Sequence, residues 1–183
     1  APSVVAERIV NAHEDQILRI NPALLLHNDI DVDTDARIGS SALKITAVGS
    51  AEHGSVRIET NGDIVFIPEA NFNGEARFSY TVTDEHDLSA TGYALINIDP
   101  VNDAPLAVDE HIDSREDEVL LIDPSLLLQN DFDVDIRRGE SQRLSIISVD
   151  EAVGGKVSLI DGMISFRPDA DRVGAASFRY MVS

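Results

Sequence analysis

The chain has 183 residues, of which 43% are hydrophobic, 33 are Asp or Glu and 14 are Lys or Arg, so that its formal net charge at pH 7 is −19. This negative charge repels phosphates and anionic lipids, which argues against nucleic acid partners and membrane insertion. The chain lacks cysteine, which excludes disulfides and thiolate metal sites, and no apolar run reaches the roughly 20 residues that span a bilayer.

Short segments of alternating polar and apolar residues predict seven strands in the first half of the chain. Between the second and third strands, Asn21-Pro22 reads as an N-cap followed by proline at the first helical position, and residues 23–26 are predicted to form one helical turn. A polar loop, residues 28–41, follows. The predicted strands are residues 4–10, 17–20, 43–48, 55–59, 64–68, 76–83 and 90–98.

The dipeptides Asn61-Gly62 and Asp161-Gly162 stand between two predicted strands at corresponding places in the two halves of the chain. A two-residue type I′ turn requires positive φ at both central residues, and Asn-Gly and Asp-Gly accept that conformation best. Both dipeptides therefore predict β-hairpins.

The sequence contains an internal repeat of about 100 residues. The run Leu-Leu-Leu-x-Asn-Asp-x-Asp-x-Asp occurs at residues 24–33 and again at 126–135, and Glu-Asp precedes it in both copies. We therefore expect two domains, residues 1–103 and 104–183, with a linker at 99–105. The predicted fold class is all-β: two tandem seven-stranded Greek-key β-sandwiches.

The second copy stops before the counterparts of residues 84–99, so we expect it to lack its last strand. Residues 178–182 should then present an open edge of unpaired backbone groups, and such edges invite pairing with another chain. We expect the protein to be monomeric unless this edge pairs.

Acidic residues are concentrated in the predicted loops. In an immunoglobulin-type sandwich, the loops after the first and fifth strands lie at the same end as the C-terminus, whereas the loop after the second strand lies at the opposite end. Carboxylates from the end of domain one, the linker and the start of domain two are therefore predicted to converge on one interdomain site. Its predicted members are Glu14, Asp15, Glu69, Asp99, Asn102, Asp103, Asp131, Asp133 and Asp135.

A second cluster is predicted at the other end of domain one. Calcium suits both clusters, since it takes about six to eight oxygen ligands and tolerates irregular geometry, whereas magnesium requires a strict octahedron. The alternative is a set of solvated loops, because Asp and Asn favour turns for backbone reasons alone. The repetition of the acidic loop in both copies favours metal. The second cluster is predicted to contain Asp29, Asp31, Asp33, Asp84 and Asp87.

Several motifs together resemble one protein family. They are the Glu-Asp pair, the Asp-x-Asp-x-Asp loop, Phe-x-Pro, Asn-Phe-x-Gly, Phe-x-Tyr-x-Val-x-Asp and Val-Asn-Asp-Ala-Pro. The combination is similar to the tandem cadherin-like repeats of large bacterial surface proteins, including repeats-in-toxin adhesins, and residues 99–105 resemble the calcium-binding linker of animal cadherins. This resemblance implies calcium ligands from one side at Glu14, Asp99, Asn102 and Asp103, and from the other at two of Asp131, Asp133 and Asp135.

An enzyme finds little support in the sequence. The five histidines are scattered without metal-binding spacing, there is no phosphate loop or nucleophile elbow, and aromatic residues make up only 5% of the chain. We therefore expect a non-enzymatic, extracellular protein, at the cell surface or secreted: a calcium-rigidified spacer of a bacterial adhesin that supports adhesion or biofilm formation and contacts its neighbouring repeats through calcium. The alternative is that one repeat itself binds a glycan or protein on a partner surface, which an exposed aromatic patch would favour.

Overall fold

The computed structural model describes residues 1–31, 43–136 and 143–183. The chain divides into two compact units, which we call unit 1 (Ala1–Val101) and unit 2 (Asn102–Ser183). Both are built mainly from β-strands, which confirms the predicted all-β sandwich class. Among the described residues, no helix is long and apolar enough to cross a membrane.

Unit 1 contains nine described strands and one short helix. The longest strands are those of the last hairpin, and they carry the clearest alternation of buried and exposed side chains. The elements are β1 (Pro2–Ser3), β2 (Glu7–His13), β3 (Leu18–Ile20), α1 (Pro22–Leu26), β4 (Ile30–Asp31), β5 (Lys44–Glu52), β6 (Gly54–Ile58), β7 (Ile64–Pro68), β8 (Gly74–Thr83) and β9 (Ser89–Asp99).

Two sheets of unit 1 enclose its core. One has the strand order β2-β9-β8-β5 and the other β3-β7-β6, while β1 and β4 pair separately. The rings of Phe66 and Phe78, one from each sheet, stack at 6.0 Å between centroids. Because Phe78, Tyr80 and Val82 alternate with polar residues on β8, all three point inward and are fully buried, as predicted.

Strand β2 differs from the predicted first strand at residues 4–10. It begins at Glu7 and continues to His13, and it runs parallel to β9, whose other neighbour β8 is antiparallel. A bulge explains the extension: the register shifts between Ile9 and Ala12, where Asn11 adopts φ 64°. This extra residue turns Ala12 back into the core, which simple alternation from the first strand does not predict.

The predicted N-cap is present in unit 1, and unit 2 has a corresponding N-cap. In unit 1, the side chain of Asn21 accepts the N–H of Ala23, and Pro22 opens α1. In unit 2, Asp123 accepts the N–H of Ser125 in the same way. Each short helix buries one leucine in the core of its unit.

Unit 2 repeats most of this plan. Strand β13 lies between β10 and β12, and β14 pairs with β11. No strand of the described chain pairs with the other edge of β14, and residues 107–115 form no strand or helix. The elements are β10 (Leu120–Ile122), α2 (Pro124–Leu127), β11 (Ile146–Val153), β12 (Gly155–Ile160), β13 (Met163–Pro168) and β14 (Ser177–Val182).

The two predicted hairpins have different turns. In unit 2, Asp161 (φ 51°) and Gly162 (φ 79°) both lie in the left-handed region, as the type I′ turn requires. In unit 1, only Gly62 of the pair has positive φ (91°), so the type I′ prediction is wrong for Asn61. The physical reason is a longer loop. Gly62 donates its N–H to the carbonyl of Glu59, which closes a type I turn followed by one left-handed residue, and that left-handed position needs glycine alone.

Candidate metal-binding clusters

Glu14, in the loop after β2, is buried, with 1% of its surface exposed. One carboxylate oxygen, Oε1, accepts the N–H of Val101 at 2.7 Å, and its own backbone N–H donates to the carbonyl of Asp99 at 3.1 Å. The other oxygen, Oε2, lies 3.4 Å from Nδ2 of Asn73. Glu14 therefore holds the chain where it leaves β9, at the start of the predicted linker.

The other predicted acids at this end of unit 1 have separate contacts. Oδ1 of Asp15 accepts the N–H of Asn71 at 3.1 Å, and Asp117 of unit 2 accepts the N–H of Asp171 in the same manner. This contact therefore joins two loops in both units. Glu69 is exposed and lies 3.4 Å from Nδ1 of His53.

Asp99, the last residue of β9, is half-buried. Its Oδ1 accepts a hydrogen bond from the side-chain amide of Asn97, two residues earlier on the same strand, at 2.9 Å. Residues two apart on a strand share a face, so Asp99 lies on the exposed face of the sheet with Asn97.

In unit 2, a chain of hydrogen bonds links the predicted linker to the acidic loop after β10 and α2. Asp103 donates its backbone N–H to Oδ2 of Asp135 at 2.6 Å, and Asp135 donates its N–H to Oδ1 of Asp133 at 2.9 Å. The side chain of Asn102 donates to the carbonyl of Asp103. The structure thus brings Asp103, Asp133 and Asp135 together through hydrogen bonds.

Three of the acids predicted for the opposite end of unit 1 are buried: Asp29, Asp31 and Asp84. Oδ1 of Asp29 accepts the N–H of Val5 at 2.9 Å, whereas its Oδ2 is buried without a hydrogen-bond partner. Burial raises the pKa of the Asp29 carboxyl, and the bond from Val5 only partly opposes this shift. A buried oxygen that accepts no hydrogen bond from the described residues suits a cation.

Asp84 organises the loop between β8 and β9. Its Oδ1 accepts the N–H groups of His86 and Leu88 at 2.8 and 2.9 Å. Burial raises the pKa of Asp84, but these N–H groups, together with the charges of the chain's N-terminus and of His86, hold it below its usual value. Asp87 is exposed at φ 60° in the same loop, and Asp33 lies outside the described residues.

A tyrosine surrounded by carboxylates recurs in both units. The hydroxyl of Tyr180 donates to Oε2 of Glu110 at 2.9 Å and lies 3.3 Å from Oδ2 of Asp131. In unit 1, burial and the charges of Asp29 and Glu7 raise the pKa of Tyr80. Burial raises the pKa of Tyr180 as well, together with its bond to Glu110.

The two glutamates of these clusters were missed by the motif analysis. Their signal in the sequence is weak: Glu7 and Glu110 each stand two residues after a valine, and these two valines, Val5 and Val108, donate to Asp29 and Asp131. Glu110 has one buried carboxylate oxygen without a hydrogen-bond partner.

The donor chemistry of these clusters fits a hard cation. Carboxylate and amide oxygens are what calcium prefers, and unsatisfied buried oxygens occur at Asn28 and Asp29 of unit 1 and at Glu110 of unit 2. Within the described parts of the chain, however, no group of three or more His, Asp or Glu side chains is arranged to hold a metal ion. Calcium binding at these clusters would therefore require the side chains to rearrange, or further oxygen donors such as carbonyls and water.

The family model of the cadherin-like domain matches the chain twice, over residues 1–99 and 101–183. The chain belongs to the cadherin-like domain family. Cadherin-like domains generally mediate adhesion and are extracellular, and cadherin domains typically bind calcium. This assignment confirms the cadherin-like part of the resemblance and agrees with a non-enzymatic adhesion module. No curated protein sequence matches the chain.

Solved structures similar to this cadherin-like chain include Drosophila N-cadherin EC1-4, with 13% identity, a TM-score of 0.47 and coverage of 98% of this chain and 47% of that one. The protocadherin gammaB7 EC3-6 cis-dimer has 16% identity and a TM-score of 0.46, and the match covers 99% of this chain and 47% of that one. An endo-fucoidan hydrolase from glycoside hydrolase family 107 has 16% identity and a TM-score of 0.40, and the match covers 100% of this chain and 26% of that one. The chain spans less than half the length of each, and at these TM-scores the likenesses support no conclusion about function.

Proposed function

We propose that the chain is a calcium-rigidified extracellular spacer from a bacterial cell-surface adhesin of the repeats-in-toxin type, which supports cell adhesion or biofilm formation. The observation that carries this proposal is that buried or half-buried carboxylates hold the backbone at both ends of the predicted linker. Glu14 accepts the N–H of Val101 in unit 1, and Asp135 accepts the N–H of Asp103 in unit 2. A carboxylate has about four lone-pair sites, so each of these groups can hold the chain and still bind a cation.

Calcium is the cation that this chemistry favours. The formal net charge of −19 makes like-charge repulsion among neighbouring carboxylates unfavourable until a counterion is bound. Calcium accepts irregular sets of oxygen ligands, and the chain lacks the cysteines that a zinc site would draw on. The residues proposed to hold calcium at the linker are Glu14, Asp15, Glu69, Asp99, Asn102, Asp103, Asp131, Asp133 and Asp135.

The other end of unit 1 is proposed as a second calcium-binding cluster. Asp29 supports it best, because one of its oxygens is buried without a hydrogen-bond partner. Glu7, which the motif analysis missed, is buried in the same unit and acts on the same tyrosine as Asp29. The residues proposed for this cluster are Asp29, Asp31, Asp33, Asp84 and Asp87.

Bound calcium would neutralise the acidic linker and limit its freedom, turning tandem repeats into a stiffer rod. The partners in this proposal are the neighbouring repeats of the same polypeptide. A ligand-binding repeat is less favoured, because the half-exposed aromatic side chains of the described chain, Tyr93 and Phe132, lie one in each unit. Tyr93 in addition has the guanidinium of Arg77 over its ring.

The proposal is tested by thermal unfolding and small-angle scattering of the full chain in chelator and in millimolar calcium. A ligand that binds only the folded state adds about 2.7 kcal/mol at a hundredfold excess over its Kd, so Tm should rise. The scattering curve should also change to that of a stiffer particle. Asp103→Asn and Asp133→Asn should each weaken both responses.

Asp113→Asn is the matched control, because it removes the same charge from a side chain that is fully exposed. It should leave both calcium responses unchanged. Identical Tm values in chelator and calcium would reject the metal proposal. A rise in Tm with no change in scattering would retain calcium binding but reject its role in stiffening the linker.

A further inference from the structure

The sheet of unit 2 with the strand order β10-β13-β12 has one side turned away from the core. On β13, Ile164 and Phe166 are buried, and the residues that alternate with them lie on the opposite side. We call this side the outer face of unit 2. It consists of Met163, Ser165 and Arg167 on β13, Lys156, Ser158 and Ile160 on β12, and Leu121 on β10.

The pairing of the strands gives the outer face a basic end and an apolar end. At one end Lys156 lies opposite Arg167, and at the other end Ile160 lies opposite Met163. Leu121 lies in the row between them, on the neighbouring strand. The three apolar side chains are 66% exposed at Leu121, 58% at Ile160 and 37% at Met163. They therefore form a contiguous apolar surface in contact with solvent.

The two cations of the basic end are not neutralised within unit 2. Like charges directly opposite each other on neighbouring strands are destabilising. Lys156 and Arg167 are both exposed, and within the described parts of the chain neither side chain has an ion-pair or hydrogen-bond partner. In contrast, Arg179 on the other sheet contacts two carboxylates. The basic end can therefore accept carboxylates from another molecule.

Two exposed carboxylates lie beyond the apolar end of the outer face. Asp161 is in the turn between β12 and β13, and Asp123 directly follows β10. Since a strand rises about 3.3 Å per residue, Met163 and Arg167 are about 13 Å apart, and the acidic and basic ends are separated by at least this distance. The order along the strands is thus basic, apolar and acidic.

Unit 1 shows that the fold does not require this order. On its corresponding sheet, Glu59 forms ion pairs with Arg19 at 2.6 Å and with Arg57 at 3.3 Å. That face therefore neutralises its own charges. The strand registers place three uncharged residues of unit 2 at these positions, namely Leu121, Ser158 and Ile160.

The two ends of the face differ between the units as well. Helix caps and tight turns accept asparagine as readily as aspartate, so the backbone does not require a charge at the acidic end. Unit 1 is uncharged at the positions that correspond to both ends. Its residues there are Ser55 and Ile67 in place of the cations, and Asn21 and Asn61 in place of the aspartates.

We infer that the outer face of unit 2 is an interface through which two copies of this chain associate. A two-fold axis that lies between the two faces and runs perpendicular to their strands makes the interface self-complementary. It places the basic end of each copy against the acidic end of the other, while the apolar rows meet and lose water. An axis parallel to the strands would place cations against cations, so the charges select the first arrangement.

The strength of this association follows from the size of the face. Three short strands offer an interface at the lower end of the range for protein complexes, so the dimer forms weakly and reversibly. Long lysine and arginine side chains can reach across the roughly 10 Å between packed sheets, with their stems against apolar surface. Weak contacts of this kind become effective when tethering raises the local concentration of the copies.

Analytical ultracentrifugation of the full chain tests the inference, over protein concentrations from about 10 μM to about 1 mM. Chelator is present throughout, so that calcium cannot bridge two copies. We expect a monomer–dimer equilibrium. The double variant Lys156→Glu with Arg167→Glu should weaken it at least tenfold. The matched control, Arg8→Glu with Lys44→Glu, changes the net charge equally at exposed residues of unit 1 and should weaken it far less.

A mixing experiment tests the arrangement of the charges. Asp161→Lys should also weaken the dimer of its own copies. Mixed with the Lys156→Glu, Arg167→Glu variant, however, it should form a heterodimer, because every basic end then meets an acidic one. Fluorescence-detected sedimentation with one variant labelled measures this. If Asp161→Lys does not fold, as judged by circular dichroism, Asp123→Lys replaces it.

The apolar row is tested without any change of charge. Leu121→Ser should weaken the dimer, whereas Leu24→Ser, at an exposed leucine of unit 1, should not. In NMR spectra of the parent chain, the shifts that change with concentration should map to residues 119–123 and 155–168.

The inference is overturned by a chain that stays monomeric up to about 1 mM, a concentration at which a weak interface should still be detected. Failure of the two folded, charge-reversed variants to associate would also overturn it, as would a dimer weakened equally by the control variant. If the chain is monomeric but polyglutamate shifts the same NMR signals, the face binds an acidic partner instead of a second copy.

Discussion

The carboxylate of Glu14 accepts the backbone N–H of Val101 at 2.7 Å, although the two residues stand at opposite ends of unit 1 in sequence. Its acceptor is a buried carboxylate, and hydrogen bonds to carboxylates belong to the stronger class. Through it, one acid both closes the first sandwich and positions the start of the predicted linker. The repeat places Glu116 at the corresponding position of unit 2, where it is exposed.

Glu14→Ala should therefore destabilise the protein more than Glu116→Ala. Loss of this charge-assisted bond removes the partner of the Val101 N–H and costs about 1–3 kcal/mol, whereas an exposed glutamate should change the free energy of unfolding by less than about 0.5 kcal/mol. Urea unfolding followed by circular dichroism, in chelator, measures both. Equal losses for the two variants would show that burial of Glu14 contributes nothing to stability.

Asp29→Asn should distinguish two effects of the Asp29 carboxylate: the stability lost by burying its charge, and the stability gained when it binds calcium. Burial raises the pKa of Asp29 in the folded protein, so this group's contribution to stability is present below its unfolded pKa, about 3.9, and is lost as pH rises through the folded value. The amide keeps an acceptor for the N–H of Val5. In chelator, the variant should therefore be at least as stable as the parent at pH 7, with a flatter dependence on pH above 4.

When calcium is added, the Tm of the same variant should rise less than the Tm of the parent. Thermal unfolding across pH 4–8, with chelator and with calcium, measures both effects. If Asp29→Asn responds to calcium as fully as the parent, then Asp29 is not a ligand, and its unsatisfied oxygen has another origin.

Gly54→Ala should lower the free energy of unfolding far more than Gly49→Ala. A Cβ added to Gly54 would lie 2.4 Å from Cζ of Phe66 and 2.6 Å from the carbonyl of Ile67, and the backbone atom cannot move without disturbing β7. At Gly49 the nearest atom is Oγ of Ser79 at 3.8 Å, an ordinary contact. Overpacking of this kind costs about 1–3 kcal/mol. Urea unfolding of both variants checks this difference, and a Gly54→Ala protein as stable as Gly49→Ala would contradict the packing.

Several features of the fold could be predicted from the sequence alone. Asn21 caps the first short helix as predicted, because the side-chain oxygen that satisfies the first helical N–H groups belongs to the capping residue itself, and Asp123 caps the corresponding helix of unit 2 in the same way. The inward set of β8 follows from strict alternation. The turn at Asn61 was mispredicted because loop length, rather than the Asn-Gly pair, selects the turn type.

Some residues of the acidic clusters could be predicted from the sequence, and others could not. Their repetition and their spacing in sequence predict that Asp103, Asp133 and Asp135 meet, since the strands before and after them bring the loop and linker to one end of a sandwich. Glu7 and Glu110 could not be chosen in this way. Each lies in a segment whose other charged residues are exposed, and a tyrosine far away in sequence brings each glutamate into a cluster that is buried in unit 1 and half-buried in unit 2.

The sequence by itself determined the all-β class, the tandem repeat, the caps and the inward residues of β8, because each depends on neighbours within a few residues or on a pattern repeated along the chain. The tertiary structure alone decided which acids are buried and where β2 finds its parallel partner. These features depend on contacts between residues up to 87 positions apart, as for Glu14 and Val101, and no local pattern encodes them.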